Sequence, residues 1–206
     1  MAAAANRPRR VNIQQHTQES DHAVHEGNHE RGSGRSNGNR GPRFSRQWRV
    51  PARSRLLARR QRAALVDRAI DSAQRSIRVS AYSFTSPDVV RHLLQAKRRG
   101  VEVAVVVDEK SNVNEDRSGK AHAALNLLVN ARIPVRTVGV YPIHHDTVLV
   151  VDGSTVETGS FNYSQAAASR NSENALVLWD CPGVARGYLE HWQSRWDQGV
   201  EFRSSY

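Results

Sequence analysis

The sequence predicts an α/β fold in which helices flank a central mixed β-sheet. Three observations carry this. Val101 to Val107 is a nearly unbroken apolar run ending at Asp108, the pattern of a strand covered on both faces. A strand, a helix and a glycine precede it at the spacing of a parallel β–α–β crossover. Two further apolar runs flank Asp152-Gly153, a turn pair that joins antiparallel strands.

The elements follow in order. From Leu56 to Gln74 the positions Leu56, Leu57, Ala64, Leu65, Ala69 and Ala73 make an apolar stripe with arginines outside it, the signature of a helix. Ser76 to Phe84 reads as a strand, with Ile77, Val79 and Ala81 alternating against Arg78 and Ser80. Ser86 is a helix N-cap with Pro87 at the first position, and that helix closes near Arg99 at Gly100. Lys110 to Lys120 is polar and reads as a loop, followed by a helix over Ala121–Asn130 and a strand over Val135–Val138 after Pro134. Val148–Val151 and Val156–Thr158 are the hairpin arms. A helix over Asn162–Ala168, a strand over Asn174–Trp179 and a helix over Pro182–Trp196 complete the chain. On the last helix Tyr188, Trp192 and Trp196, with Ala185 and Leu189 beside them, share one face suited to core packing or a subunit contact.

Charge divides the 206 residues in two. Residues 1–68 hold fifteen arginines, no lysine and five acids, whereas residues 69–206 hold fifteen basic and fifteen acidic side chains. The Gly-, Ser-, Asn- and Arg-rich start cannot bury enough surface to offset ordering, so residues 1–50 are expected to form a disordered tail ahead of a folded domain over 56–199. Its excess charge suits a polyanion, and Arg43, Arg46 and Arg49, with Lys110 and Lys120 in the domain, are the candidate nucleic-acid contacts. Four of nine histidines fall between His16 and His29 at irregular spacing, which argues against a metal site there. The single cysteine, Cys181, excludes an internal disulfide framework. No apolar run is long enough to span a membrane, so no stable membrane insertion is expected. The start MAAAANRPRR lacks the apolar region of a secretory signal, so a cytoplasmic location is expected.

The chemistry concentrates in HHDTVLVVDGSTVETGSFNYS, His144 to Ser164. Alternation puts His145, Thr147, Leu149 and Val151 on one face of the strand and Asp146, Val148, Val150 and Asp152 on the other. A neutral imidazole attacks phosphorus when an acceptor holds its other nitrogen; Glu173 and Asp152 are the candidates for that acceptor. Ser160 and Asn162 alternate with Phe161, share a face and are suited to donate to a phosphate, while Gly159 permits close approach of the backbone to a ligand. His144, the first of the pair, reads as a surface residue.

His145, Asp152, Gly159, Ser160 and Asn162 stand at the spacing of the phospholipase D superfamily signature, which this stretch resembles. SIRVSAYSFTS, RRGVEVAVVVD, IPVRTV, TVETGSFNYSQAA and NSENALVLWD are similar to the small bacterial endonuclease branch, a likeness running from about Ile70 to Gln198. The resemblance implies a phospholipase D-like sandwich that cleaves phosphodiesters without a metal or other cofactor through a covalent phosphohistidine. It also implies a homodimer, because a complete centre needs two motifs and this chain has one and no repeat. By resemblance Glu173 orients the histidine, Ser160 and Asn162 line the phosphate, and relatives are often secreted to the periplasm.

Two departures bear on function. Thr147 stands at the family's lysine position. A lysine reaches roughly 6 Å with a full charge, whereas threonine offers one uncharged hydroxyl. Lys110, Lys120 and Arg170 are substitutes by type. Upstream, Trp48-Arg49-Val50 is the place for a first strand, but Pro51 interrupts it, and the Arg-rich start reads as a replaced N-terminus. The expected function is therefore a sequence-nonspecific nuclease acting on DNA or RNA, slowed at Thr147. The alternatives are a degenerate nucleic-acid-binding dimer and hydrolysis of a phospholipid headgroup ester.

Overall fold

The structure is a computed structural model that describes residues 59–204. The expected tail, the strand at Trp48–Val50, Leu56, Leu57 and the candidate contacts Arg43, Arg46 and Arg49 lie outside the described residues.

Helix α1 spans Arg59–Asp71. Its buried stripe is Val66, Ala69 and Ile70, continued by Ala73 beyond the helix end, rather than the stripe through Ala64 and Leu65. Val66, Ala69 and Ile70 sit three and four positions apart, so they fall on one side of a helix, and Ala64 is left facing solvent. Strand β1 (Ser76–Ala81) leads to α2 (Pro87–Arg98), where the Ser86 hydroxyl caps the Val89 N–H, and then to β2 (Glu102–Asp108). β1 and β2 pair in parallel, as the crossover requires. The expected loop at 110–120 begins instead with a π-helical turn over Lys110–Asn114, centred on buried Asn112.

Then come α3 (Lys120–Asn130), β3 (Val135–Val138), β4 (Val148–Val151) and β5 (Thr155–Gly159). Asp152 and Gly153 both have positive φ (53° and 68°), the backbone that a tight hairpin turn demands. The next helix, α4, starts at Gln165 and ends at Ser169, not at Asn162, because the Ser164 hydroxyl caps the Ala167 N–H. β6 (Ala175–Leu178), α5 (Pro182–Gln198) and a short β7 (Val200–Glu201), absent from the sequence expectation, complete the fold.

The sheet order is β6-β5-β4-β1-β2-β3-β7, with parallel pairing among β1, β2 and β3 and antiparallel pairing elsewhere. One face packs Ile77, Val79, Val103, Val105, Leu149 and Val151 against α1, α2 and α3. The other packs Val106, Val148, Val150 and Val156 against α5 through Ala185, Leu189 and Trp192. The aromatic face of α5 is thus core: Trp192 donates its indole N–H to the Val79 carbonyl and stacks on Trp196. Among the described residues no helix is long and apolar enough to cross a membrane.

Candidate active site

Register builds the site. Val148 pairs with Thr158, and the Thr158 hydroxyl donates to the Thr147 carbonyl. This sets the segment His145–Thr147 beside Gly159 and the loop that follows. His145 is exposed, with its ring 4.6 Å from that of Tyr82. His145, Asp146, Thr147, Thr158 and Gly159 line a cavity of about 610 Å³ whose opposite wall is α5, through Val184, Tyr188 and His191.

His144 is not a surface residue. It is 2% exposed, its Nε2 lies 2.9 Å from the Ser80 hydroxyl, and its backbone N–H donates to Asp108. Burial holds its imidazole below the ordinary histidine value, against the opposing pull of Asp146 and Asp108. Strand β1 supplies Ser80 from 64 positions away, so no local signal in the sequence marks this burial.

The loop after β5 folds by short-range bonds, Asn162 N–H to Ser160 carbonyl and Ser164 N–H to Asn162 carbonyl. Phe161 and Tyr163 therefore turn inward while Ser160 faces out and Asn162 is half-buried. The Ser160 hydroxyl donates to Glu173 Oε2 at 2.6 Å and accepts from the Asn174 N–H, while the Asn171 amide donates to Glu173 Oε1. The Asn162 Oδ1 is buried without a hydrogen-bond partner among the described residues. Ser160 and Glu173 are thus brought together, and no hydrogen bond among the described residues joins either to His145.

Gly159 has a structural duty besides lining the cavity, and Asp152 has a duty other than orienting His145. A Cβ on Gly159 would lie 2.3 Å from the Asn174 carbonyl oxygen, so the close approach that requires glycine is to the backbone leading into β6. The Asp152 carboxylate accepts the backbone N–H groups of Gln74, Arg75 and Ser76 at 2.8–2.9 Å. It sits at the far end of β4 from His145, about seven residues or roughly 23 Å of strand away, and so cannot orient that ring. Burial opposes its ionisation, but the three N–H donors and Arg75 outweigh this and hold its carboxyl below the usual range.

Of the basic candidates, Lys110 pairs with Glu115 at 3.7 Å on the π-turn, and Lys120 and Arg170 line a separate polar cavity with Ser83 and Gln165. None of the three lines the His145 cavity. The sequence reading missed Asp146 and His191, whose side chains meet at 2.7 Å at the cavity wall, and the buried pair Glu157 and Tyr163 under the loop. Among the described residues no group of three or more metal-ligating side chains converges to hold a metal ion.

The family described as "Cardiolipin synthase, PLD-like domain" matches residues 66–196. A solved structure of a phospholipase D family member, Nuc from Salmonella typhimurium, is 52% identical with a TM-score of 0.65, covering 68% of this chain and 90% of that one. The chain is 37% identical over 126 residues to a phospholipase D of Rickettsia bellii, covering 61% of this chain and 59% of that protein. It is 31% identical over 126 residues to a mitochondrial cardiolipin hydrolase of Xenopus laevis, covering 61% and 57%. It thus spans about three fifths of the length of these curated relatives.

Proposed function

Since the chain belongs to the phospholipase D-like family, we propose that it hydrolyses phosphodiesters in nucleic acid through His145, without a metal ion. The observation that carries this reading is the cavity in which exposed His145 and the start of the Gly159–Asn162 loop share a wall. The imidazole nitrogen of His145 forms the P–N bond as the P–O bond to the leaving oxygen breaks. A second acid protonates that oxygen, and water then cleaves the phosphohistidine. Asn162 donates its amide N–H to the non-bridging oxygens, and Ser160 does so when its single hydroxyl proton turns from Glu173 to the phosphate, its oxygen still held by the Asn174 N–H.

The acid comes from His145 of a second copy of this chain. One motif per chain supports this, as do exposed Val140, Tyr141 and Ile143 in the segment leading to His145, an apolar surface that a dimer would cover. The likeness of SIRVSAYSFTS, RRGVEVAVVVD and TVETGSFNYSQAA to the small bacterial endonuclease branch favours nucleic acid. A second reading, hydrolysis of a phospholipid headgroup ester, is favoured by the similarity to a phospholipase D and a cardiolipin hydrolase.

Plasmid DNA and cardiolipin vesicles incubated with the protein in EDTA separate the two. DNA cleavage that disappears in H145A is expected, together with an acid-labile phosphorus adduct on the wild-type protein. Cleavage surviving in H145A would remove His145 from the chemistry, and hydrolysis confined to the vesicles would transfer the reading to lipid.

A further inference from the structure

We propose that His191 supplies the phosphate-facing cation that Thr147 cannot, with Asp146 as the residue that positions it. This rests on the phosphodiesterase reading above and names a further group of the same site. Thr147 is among the residues lining the cavity, its side chain carries no charge, and its carbonyl is already engaged by Thr158. Across the cavity, α5 presents His191 one turn beyond Gly187 and two beyond Gly183, both of which also line the space. These glycines leave gaps in that wall between Val184, Tyr188 and His191, so the cavity extends along α5 to the imidazole.

The ring is held. Its Nε2 lies 2.7 Å from Asp146 Oδ2, and its side chain is 40% exposed, so one nitrogen is anchored while the ring stays open to the cavity. Asp146 separates His145 from Thr147 in the chain, which ties the orientation of His191 to the nucleophile's own segment. With Nε2–H donating to Asp146, a doubly protonated ring turns Nδ1–H toward a non-bridging oxygen. Arg195 Nε stands 3.8 Å from the same Asp146 oxygen, so the carboxylate has a cationic partner besides His191.

To contact phosphate, the His191 ring needs a proton on both nitrogens, one for Asp146 and one for the anion. The groups facing it are Asp146 and His144 from the segment before β4, His145 and Tyr188 around the cavity, and Arg195 on its own helix. Burial disfavours the charged form of His144, its Nε2 is engaged by Ser80, and it does not line the cavity.

The test is a double-mutant cycle on the full chain between H191Q and T147K. It is read by calorimetric binding of inorganic phosphate and by kcat and KM for bis(4-nitrophenyl) phosphate. H191Q in the native background is expected to weaken phosphate binding and lower kcat about tenfold, and by less than about threefold once T147K supplies a lysine. D146N should behave as H191Q does. Equal losses in both backgrounds would make His191 a simple tie between α5 and β4, and unchanged phosphate binding in H191Q would equally overturn the proposal. Nitrogen NMR of the imidazoles needs no H191Q protein: phosphate should shift the His191 signals in the native chain and not in T147K, and the reverse pattern refutes the assignment. A chain that binds phosphate through His191 yet cleaves no diester would leave this inference standing and sink the phosphodiesterase reading.

Discussion

Glu157 lies on β5 with its side chain wholly buried, facing the α1 side of the sheet, and among the described residues only one of its oxygens has a hydrogen-bond partner. Tyr163 donates its hydroxyl to Oε2 at 2.7 Å, and Oε1 has no hydrogen-bond partner among the described residues. Burial raises its pKa from 4.5 to about 8, only partly opposed by the Tyr163 bond. The folded value lies above the unfolded one, so the contribution to stability is complete below about pH 4.5. It is lost as pH rises toward 8, because over that window folding requires a proton that the unfolded chain has released. The interval from 4.5 to about 8 spans 3.5 pH units, and at 1.36 kcal/mol per unit the loss reaches at most about 5 kcal/mol. E157Q keeps an acceptor for Tyr163 and cannot ionise. Urea unfolding of both proteins at pH 5, 6.5 and 8.5 should show the wild type losing several kcal/mol relative to E157Q, with other titrations cancelling in the difference. Parallel pH profiles would refute the reasoning, since Glu157 would then be no buried acid held neutral by the fold. The consequence reaches the site: Tyr163 and Glu157 bracket the loop carrying Ser160 and Asn162, so ionisation loosens the wall on which phosphate would rest.

Replacing Asp152 by alanine removes the acceptor of three backbone N–H groups, at a cost of about 2–4 kcal/mol. Asp152 is held below the usual carboxylate range, so its contribution is present above about pH 4 and lost as pH falls through the folded value. Chemical denaturation of D152A at pH 7 checks the magnitude, and a gap to wild type that narrows as pH is lowered below about 4 checks the sign. Asn112 accepts the Phe84 N–H and donates to the Tyr82 and Asp108 carbonyls, all within the core. N112A should therefore cost about 3 kcal/mol and free the segment holding Tyr82 against His145, which a thermal melt and the His145 ring resonance would report.

How legible a segment was depended on whether its cause was local. β3 and β4 fall where β-branched runs meet Pro134 or Asp152-Gly153, and α2 falls where Ser86 and Pro87 announce it, because each signal acts within a few residues. The π-turn at Lys110–Asn114 was hidden because Asn112 takes partners about 30 positions upstream as well as nearby. α4 starts later than expected because i to i+2 bonds occupy Ser160–Ser164, and sequence periodicity carries no mark of such turns. His144 looked exposed because its partner Ser80 lies on another strand. His191 was overlooked because it sits on α5 beside core aromatics, and only the fold brings Asp146 to it.

The motif itself is partly a record of hairpin geometry. His144 is fixed through Asp108 and Ser80 at one end of β4, and Asp152 is fixed to the backbone before β1 at the other. The spacing from His145 to Asp152 therefore measures the length of β4 between two anchors. The spacing from Asp152 to Gly159 measures the turn and the return strand, whose register places Thr158 opposite Val148. Asp152 thus contributes to any chemistry at His145 through the position of the whole strand, and His144 contributes by fixing the backbone from which His145 projects outward. On this view Thr147 is a change within an intact frame. Thr147, just before the pinned strand, still lines the cavity, so the positive charge absent there is to be sought on the α5 wall, where Asp146 holds His191.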